Sequence, residues 1–211
     1  MFLFSVIVAS IVLAGASSVE QGRNLKPGDT LPPLKGAFLT GRDAFLPEAS
    51  RGKIALLALG FTYDSRIAVE SWCERFAREF KDRNEVTFFE IPVIGGVSRL
   101  GKWFIDSGMR KGTPKDKQEN VITVYGSAED WKRHVGFKNP KAAYLIVLDA
   151  EGLIRWQHSG LFEENKCREL AEFVRNLLSQ KNAAILMNRS SSSALRTSAE
   201  SGFGNKLRML E

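Results

Sequence analysis

The chain has 211 residues, is 44% hydrophobic and 26% charged, carries a formal net charge of +6 and contains two cysteines. That size fits one globular domain with extensions, able to bury its apolar surface without disulfide or metal staples. The positive excess is scattered and lacks the basic stripe with interleaved aromatics that would indicate nucleic acid, so an acidic partner or an anionic membrane is the partner class left open.

Residues 2–13, FLFSVIVASIVL, are apolar and are followed by the small residues Ala14-Gly15-Ala16. This pattern predicts a signal peptide over residues 1–16 and export to the periplasm or outside the cell. The first basic side chain is Arg23, and the lack of earlier arginines argues against a mitochondrial transit peptide. The run is shorter than the roughly 20 apolar residues of a membrane span, which leaves anchoring by residues 2–16 as the alternative. Residues 17–26 are polar and read as a linker, and residues 27–182 as the folded domain.

Pro27-Gly28-Asp29, Pro32-Pro33 and Gly41-Arg42 mark a turn-rich opening segment with a hairpin. Residues 53–60, KIALLALG, form a continuous apolar run, as expected of a central strand buried on both faces. Val69, Trp72, Cys73, Phe76 and Phe80 then recur at helical spacing, predicting a helix from about Ser65 to Arg83 with Asp64 or Ser65 as its cap. Val86–Ile91 is the next strand, closed by Pro92 and Gly95-Gly96. A short helix around Leu100–Ile105 and a basic loop over residues 108–119 follow. Val121–Tyr125 reads as a strand and Ala128–Val135 as a short helix. Ala143–Leu148 and Leu153–Trp156 flank Asp149-Ala150-Glu151-Gly152, a strong hairpin signal. The last helix runs from Glu163 to Gln180, with Cys167, Leu170, Val174 and Leu178 on one stripe. Residues 183–211, with the run Ser190–Ser193, read as a disordered tail.

Alternating strands and helices followed by a hairpin imply an α/β three-layer sandwich with a mixed central sheet, the thioredoxin-like layout, carrying an N-terminal extension. In that layout the reactive position is the strand end meeting a helix N-terminus, where unpaired N–H groups stabilise a thiolate. Here that junction reads Phe61-Thr62-Tyr63-Asp64-Ser65-Arg66 and holds no cysteine. Phe61, Thr62, Tyr63, Asp64 and Arg66 therefore look like a vestigial active-site junction, with Asp64 a cap and Arg66 a solvated side chain. Cys73 lies about two turns into the helix on its apolar stripe. It reads as a buried structural thiol, as half of a disulfide with Cys167, or as the nucleophile of a thiol oxidoreductase or peroxiredoxin-like enzyme. The disulfide requires Cα atoms within roughly 7 Å. His134 and His158 have no paired carboxylate in sequence and read as surface or satisfied histidines. No phosphate loop or nucleophile elbow occurs.

Gly60-Phe61-Thr62 after an apolar strand resembles the Sco-type copper chaperones and their peroxiredoxin-like relatives. Those would place cysteines near Asp64 and Ala68 and a histidine near Ala142-Ala143, so copper delivery is not implied. Residues 121–160 resemble the mitochondrial ATP synthase assembly-factor family, whose members assist assembly of the membrane Fo sector. The shared features are Tyr125-Gly126 after a strand, Asn139, Tyr144-Leu145 leading to Asp149, then Ile154-Arg155-Trp156 and Ser159-Gly160. The resemblance implies a thioredoxin fold acting by binding a protein client, including a membrane-associated one, with no catalytic residue, metal or cofactor, and a mitochondrial location in place of export. From strand alternation, Ile154 and Trp156 are expected on one face and Arg155 on the other, solvated.

Overall fold

The computed structural model describes residues 24–207, with side chains for 24–98 and 100–187. The expected signal peptide lies outside the described residues, as does most of the 17–26 linker.

Seven strands build a single mixed sheet. In chain order they are β1 (Leu34–Phe38), β2 (Asp43–Leu46), β3 (Ile54–Gly60), β4 (Val86–Ile94), β5 (Ile122–Tyr125), β6 (Ala143–Leu148) and β7 (Ile154–Gly160). Their order across the sheet is β2–β1–β5–β4–β3–β6–β7. β3, β4 and β5 run parallel, while β1, β2, β6 and β7 make antiparallel pairings. The β1–β2 hairpin is the N-terminal extension, joined to the sheet through β5. All seven residues of β3 are buried, as its unbroken apolar run requires of a strand covered on both faces.

The helices are α1 (Arg66–Glu79), α2 (Arg99–Gly112), α3 (Ala128–His134) and α4 (Glu164–Leu207). On one face α1 and α4 pack Trp72, Cys73, Phe76, Cys167, Leu170 and Val174 against alternate residues of β3 and β6. On the other, α3 and the β1–β2 hairpin bury Leu34, Leu46, Trp131 and the opposite set of β3 and β6 side chains. The two apolar stripes predicted for α1 and α4 are the buried ones.

Boundaries differ from expectation at β4, α2, β7 and α4, and α1 ends at Glu79. Pro92 does not end β4, because it sits opposite Gly60, where the ladder to β3 finishes, and a missing N–H there costs little. α2 extends to Gly112 and absorbs the start of the expected basic loop. Gln118 closes its end, donating to the carbonyls of Arg110 at 3.1 Å and Thr113 at 3.0 Å. β7 continues past Trp156 to Gly160 in ladder with β6. α4 continues from the expected Gln180 to Leu207.

Candidate functional site

The β3–α1 junction is closed by its own side chains. The Ser65 hydroxyl donates to the Thr62 carbonyl at 2.8 Å, the Ser65 N–H donates to Thr62 Oγ1 at 3.2 Å, and the Thr62 hydroxyl donates to the Pro140 carbonyl. This knot demands a glycine at 60: a Cβ there would lie 2.7 Å from Ser65 Oγ. Phe61 stacks edge-on against Phe137 and Tyr144, with centroids 5.4 and 5.5 Å apart. Contrary to the sequence expectation, Ser65 does not cap the helix with its side chain, because its hydroxyl is committed to Thr62. Asp64 is exposed and makes no hydrogen bond among the described residues. Arg66 is not a free cation: it lies 3.5 Å from Glu70 and covers the Tyr63 ring at 5.2 Å.

Cys73 and Cys167 are free thiols buried in the same apolar cluster. Burial, followed by the carboxylates Glu90, Glu70 and Glu74, pushes the Cys73 thiol well above its usual range. Burial also raises Cys167, to about 11. Desolvation and negative neighbours are the reverse of what activates a thiolate.

The family-motif residues build the β6–β7 hairpin. Tyr144 Oη accepts from the N–H groups of Lys138 and Asn139, both at 2.9 Å, and donates to the Asn139 carbonyl at 3.2 Å. Asp149 Oδ1 accepts from the N–H groups of Glu151 at 3.1 Å and Leu153 at 2.9 Å, and Oδ2 pairs with Arg155 Nη1 at 3.2 Å. A register shift follows: Val147 faces Trp156 and Leu148 faces Ile154, leaving Arg155 as the extra residue. Ile154 and Trp156 therefore point to opposite faces, not the same one. Ile154 enters the α3-side core and Trp156 packs towards α1 and α4. Arg155 is held by Asp149 rather than simply solvated.

His158 is also not the satisfied histidine expected. Its ring contacts Trp72 and Trp156, and both His158 Nε2 and Trp72 Nε1 are buried without a hydrogen bond among the described residues. Burial lowers the His158 pKa, disfavouring the charged ring.

What the sequence reading missed is a cavity of about 670 Å³ between α1 and α2. Val69, Ile94, Ile105, Met109 and Val121 form apolar walls, and Glu90 on β4 lies on the floor. The Glu90 carboxylate makes no hydrogen bond and no ion pair with any described residue. Desolvation, then Glu70, raises its pKa from 4.5 to about 7, against the opposing pull of Lys117. A glutamate inside the apolar run of a central strand was the signal available in the sequence.

α2 is fastened over this cavity by polar ties at its edges. Asp106 accepts from Tyr125 Oη at 2.6 Å, and Arg110 donates to the Leu39 carbonyl at 2.7 Å. Its inner face offers Ile105, Gly108, Met109 and Gly112 to the cavity. Its outer face leaves Leu100, Trp103 and Phe104 in solvent, at 71%, 63% and 63% exposure. Tyr63, at 80%, stands beside the cavity and Ile67, at 68%, on the first turn of α1. Among the described residues no cluster of three or more His, Cys, Asp or Glu is placed to hold a metal, and no helix is long and apolar enough to cross a membrane.

Comparison with known proteins matches residues 28–177 to the family described as ATP10 protein. Comparison with curated proteins gives no match. Among solved structures, the chain is similar to a Bacteroides thetaiotaomicron protein described as a protein disulfide isomerase, at 15% identity and TM-score 0.51. That match covers 75% of this chain and 94% of the other. It is also similar to BsSco, of the Sco family of cytochrome c oxidase assembly proteins, at 15% identity and TM-score 0.50. Here 72% of this chain and 95% of the other are covered. A Chlorobium tepidum protein described as the thiol:disulfide interchange protein DsbE gives 16% identity and TM-score 0.50, over 74% and 99%. At these identities the likeness establishes a thioredoxin-like fold.

Proposed function

Because this chain belongs to the ATP10 protein family, we propose that it is an assembly factor for the ATP synthase Fo sector that works by binding a protein client through the α1–α2 face, without thiol chemistry. The observation that carries this reading is α2 itself. A helix that is apolar on both sides is normally buried. Here one side faces a cavity and the other leaves three large side chains in water. Contiguous exposed apolar surface of that kind marks an interaction site. The buried, raised thiols of Cys73 and Cys167 support binding over redox turnover. The family link to mitochondrial ATP synthase assembly supports the mitochondrial location over export; microscopy of the full-length chain tagged at its C-terminus distinguishes the two.

The client site is tested by a photo-crosslinking amino acid placed in the full-length chain at Phe104, with exposed Glu151 of the distant hairpin as control. An adduct with a membrane subunit of Fo from Phe104, and none from Glu151, is expected. Equal adducts at both positions, or an Fo subunit retained only as a mixed disulfide with Cys73, would refute the reading.

A further inference from the structure

We propose that the α1–α2 cavity takes one basic side chain, an arginine or lysine projecting from an apolar segment of the client, and that Glu90 is its counter-ion. This rests on the client-binding reading above and adds to it the chemistry that the client must present.

Three observations converge. First, Glu90 lies on β4, a strand with neighbours on both sides, in register with Ala58 of β3 and bridged to Val121. Its side chain is half-buried, yet the carboxylate has no hydrogen-bond or ion-pair partner among the described residues. Second, the charged groups around it do not neutralise it. Arg66 on α1 is engaged by Glu70 and the Tyr63 ring. Glu70 and Glu74 on the same helix repel a charge on Glu90, and Lys117, on the exposed turn after α2, is the one cation that lowers its pKa. α2 turns Ile105, Gly108, Met109 and Gly112 to the cavity and no charged side chain. Third, apart from Arg66 and Glu70 on α1 and a few hydroxyls, the walls are apolar, and the volume admits a long side chain together with the residues flanking it.

A polar floor under apolar walls matches the anatomy of a basic side chain, whose methylene stem favours apolar surface while its charged head seeks a carboxylate. Pairing lets Glu90 ionise where burial alone discourages it, so the cation supplies what the fold leaves open. The pocket thus carries an acidic floor in a chain of net charge +6, which gives it charge complementarity to a cationic client and not to an anionic one. Residues 2–13 of this chain are apolar but contain no cation, so they do not supply the complement.

Gly108 provides a plug for the test. Gly108 lines the cavity and a Cβ there meets nothing within 4 Å, so Gly108→Leu adds an apolar side chain at the cavity with room at its Cβ and removes a helix-weakening glycine. The probes are a Leu/Ala-rich peptide bearing one central arginine and the same peptide bearing citrulline, which keeps the shape and loses the charge. Both are titrated into the full-length protein at pH 8. The arginine peptide is expected to bind at least tenfold tighter than the citrulline peptide. Glu90→Gln should bring the arginine peptide down to the citrulline level and leave the citrulline peptide unchanged. Gly108→Leu should abolish binding of both. If wild type binds both peptides equally, or Glu90→Gln does not narrow the gap, the counter-ion role is overturned while client binding stands. If neither peptide binds, or Gly108→Leu leaves binding intact, the cavity is not the client site and both readings fail.

Discussion

The β6–β7 hairpin and the α1–α2 cavity each contain a carboxylate facing inward, and they treat it in opposite ways. At Asp149 both oxygens are used: two backbone N–H groups and the Arg155 guanidinium converge on a side chain only 12% exposed. At Glu90 neither oxygen is used. The motif Tyr144, Asp149, Ile154 and Arg155, which carries the family resemblance, is thereby accounted for as architecture. It sets a loop, a turn, a bulge and the faces on which Ile154 and Trp156 are buried. The unsatisfied region is where a partner has something to add. A cavity carboxylate that the fold leaves unpartnered marks function more directly than one that the fold satisfies.

Asp149→Ala is expected to give the largest stability effect, because it strands two turn N–H groups and the Arg155 charge together. A loss of about 3 kcal/mol in urea unfolding is expected, with arginine-peptide binding unchanged below the unfolding transition. A loss of binding as large as the loss of stability would erase the distinction between the two regions.

Glu90→Gln should act in the opposite direction. The folded-state pKa of Glu90, about 7, lies above its ordinary value of 4.5. The native state therefore holds a proton that the unfolded state releases, and wild-type stability falls as pH rises from about 4.5 to 7. The glutamine variant lacks this limb and should be more stable by about 2 kcal/mol at pH 8, converging on wild type near pH 4.5. A substitution that stabilises the fold and removes binding is what a site kept for function predicts. A glutamine variant less stable than wild type at pH 8 would mean that the fold itself relies on the charge.

His158 gives the smallest effect and the opposite slope. Burial lowers its pKa below 6.5, so the unfolded state binds the proton first and stability drops as pH falls through 6.5. His158→Gln should flatten that limb in the same urea series. An unchanged acid limb would show that the ring is already solvated.

Much of the fold was legible from residue patterns. The unbroken run of β3, the helical stripe of Val69, Trp72, Cys73 and Phe76, and the Asp149–Gly152 turn each point to one structure because burial dictates them locally. The family was legible too, from Tyr144, Asp149 and Ile154-Arg155-Trp156. The bulge at Arg155 was not, since alternation along a strand assumes one residue per partner and says nothing of where that fails. α2 was read too short because its C-terminal turn contains Gly108 and Gly112 and is closed by Gln118 from beyond the helix. The site was half legible. The missing cysteine at the junction was plain in the sequence, but the cavity is made by α1, β4 and α2 together. Glu90 gave its one hint by being a charge in a buried strand.

The central claim, that this thioredoxin fold acts through the α1–α2 cavity and not through its thiols, is tested most directly by Fo assembly on native gels of a host lacking its own copy of the gene. The chain carrying both Cys73→Ala and Cys167→Ala should restore assembled ATP synthase, and Gly108→Leu, with both cysteines intact and soluble expression verified, should not. Assembly lost with the cysteines and retained with the filled cavity would contradict the account.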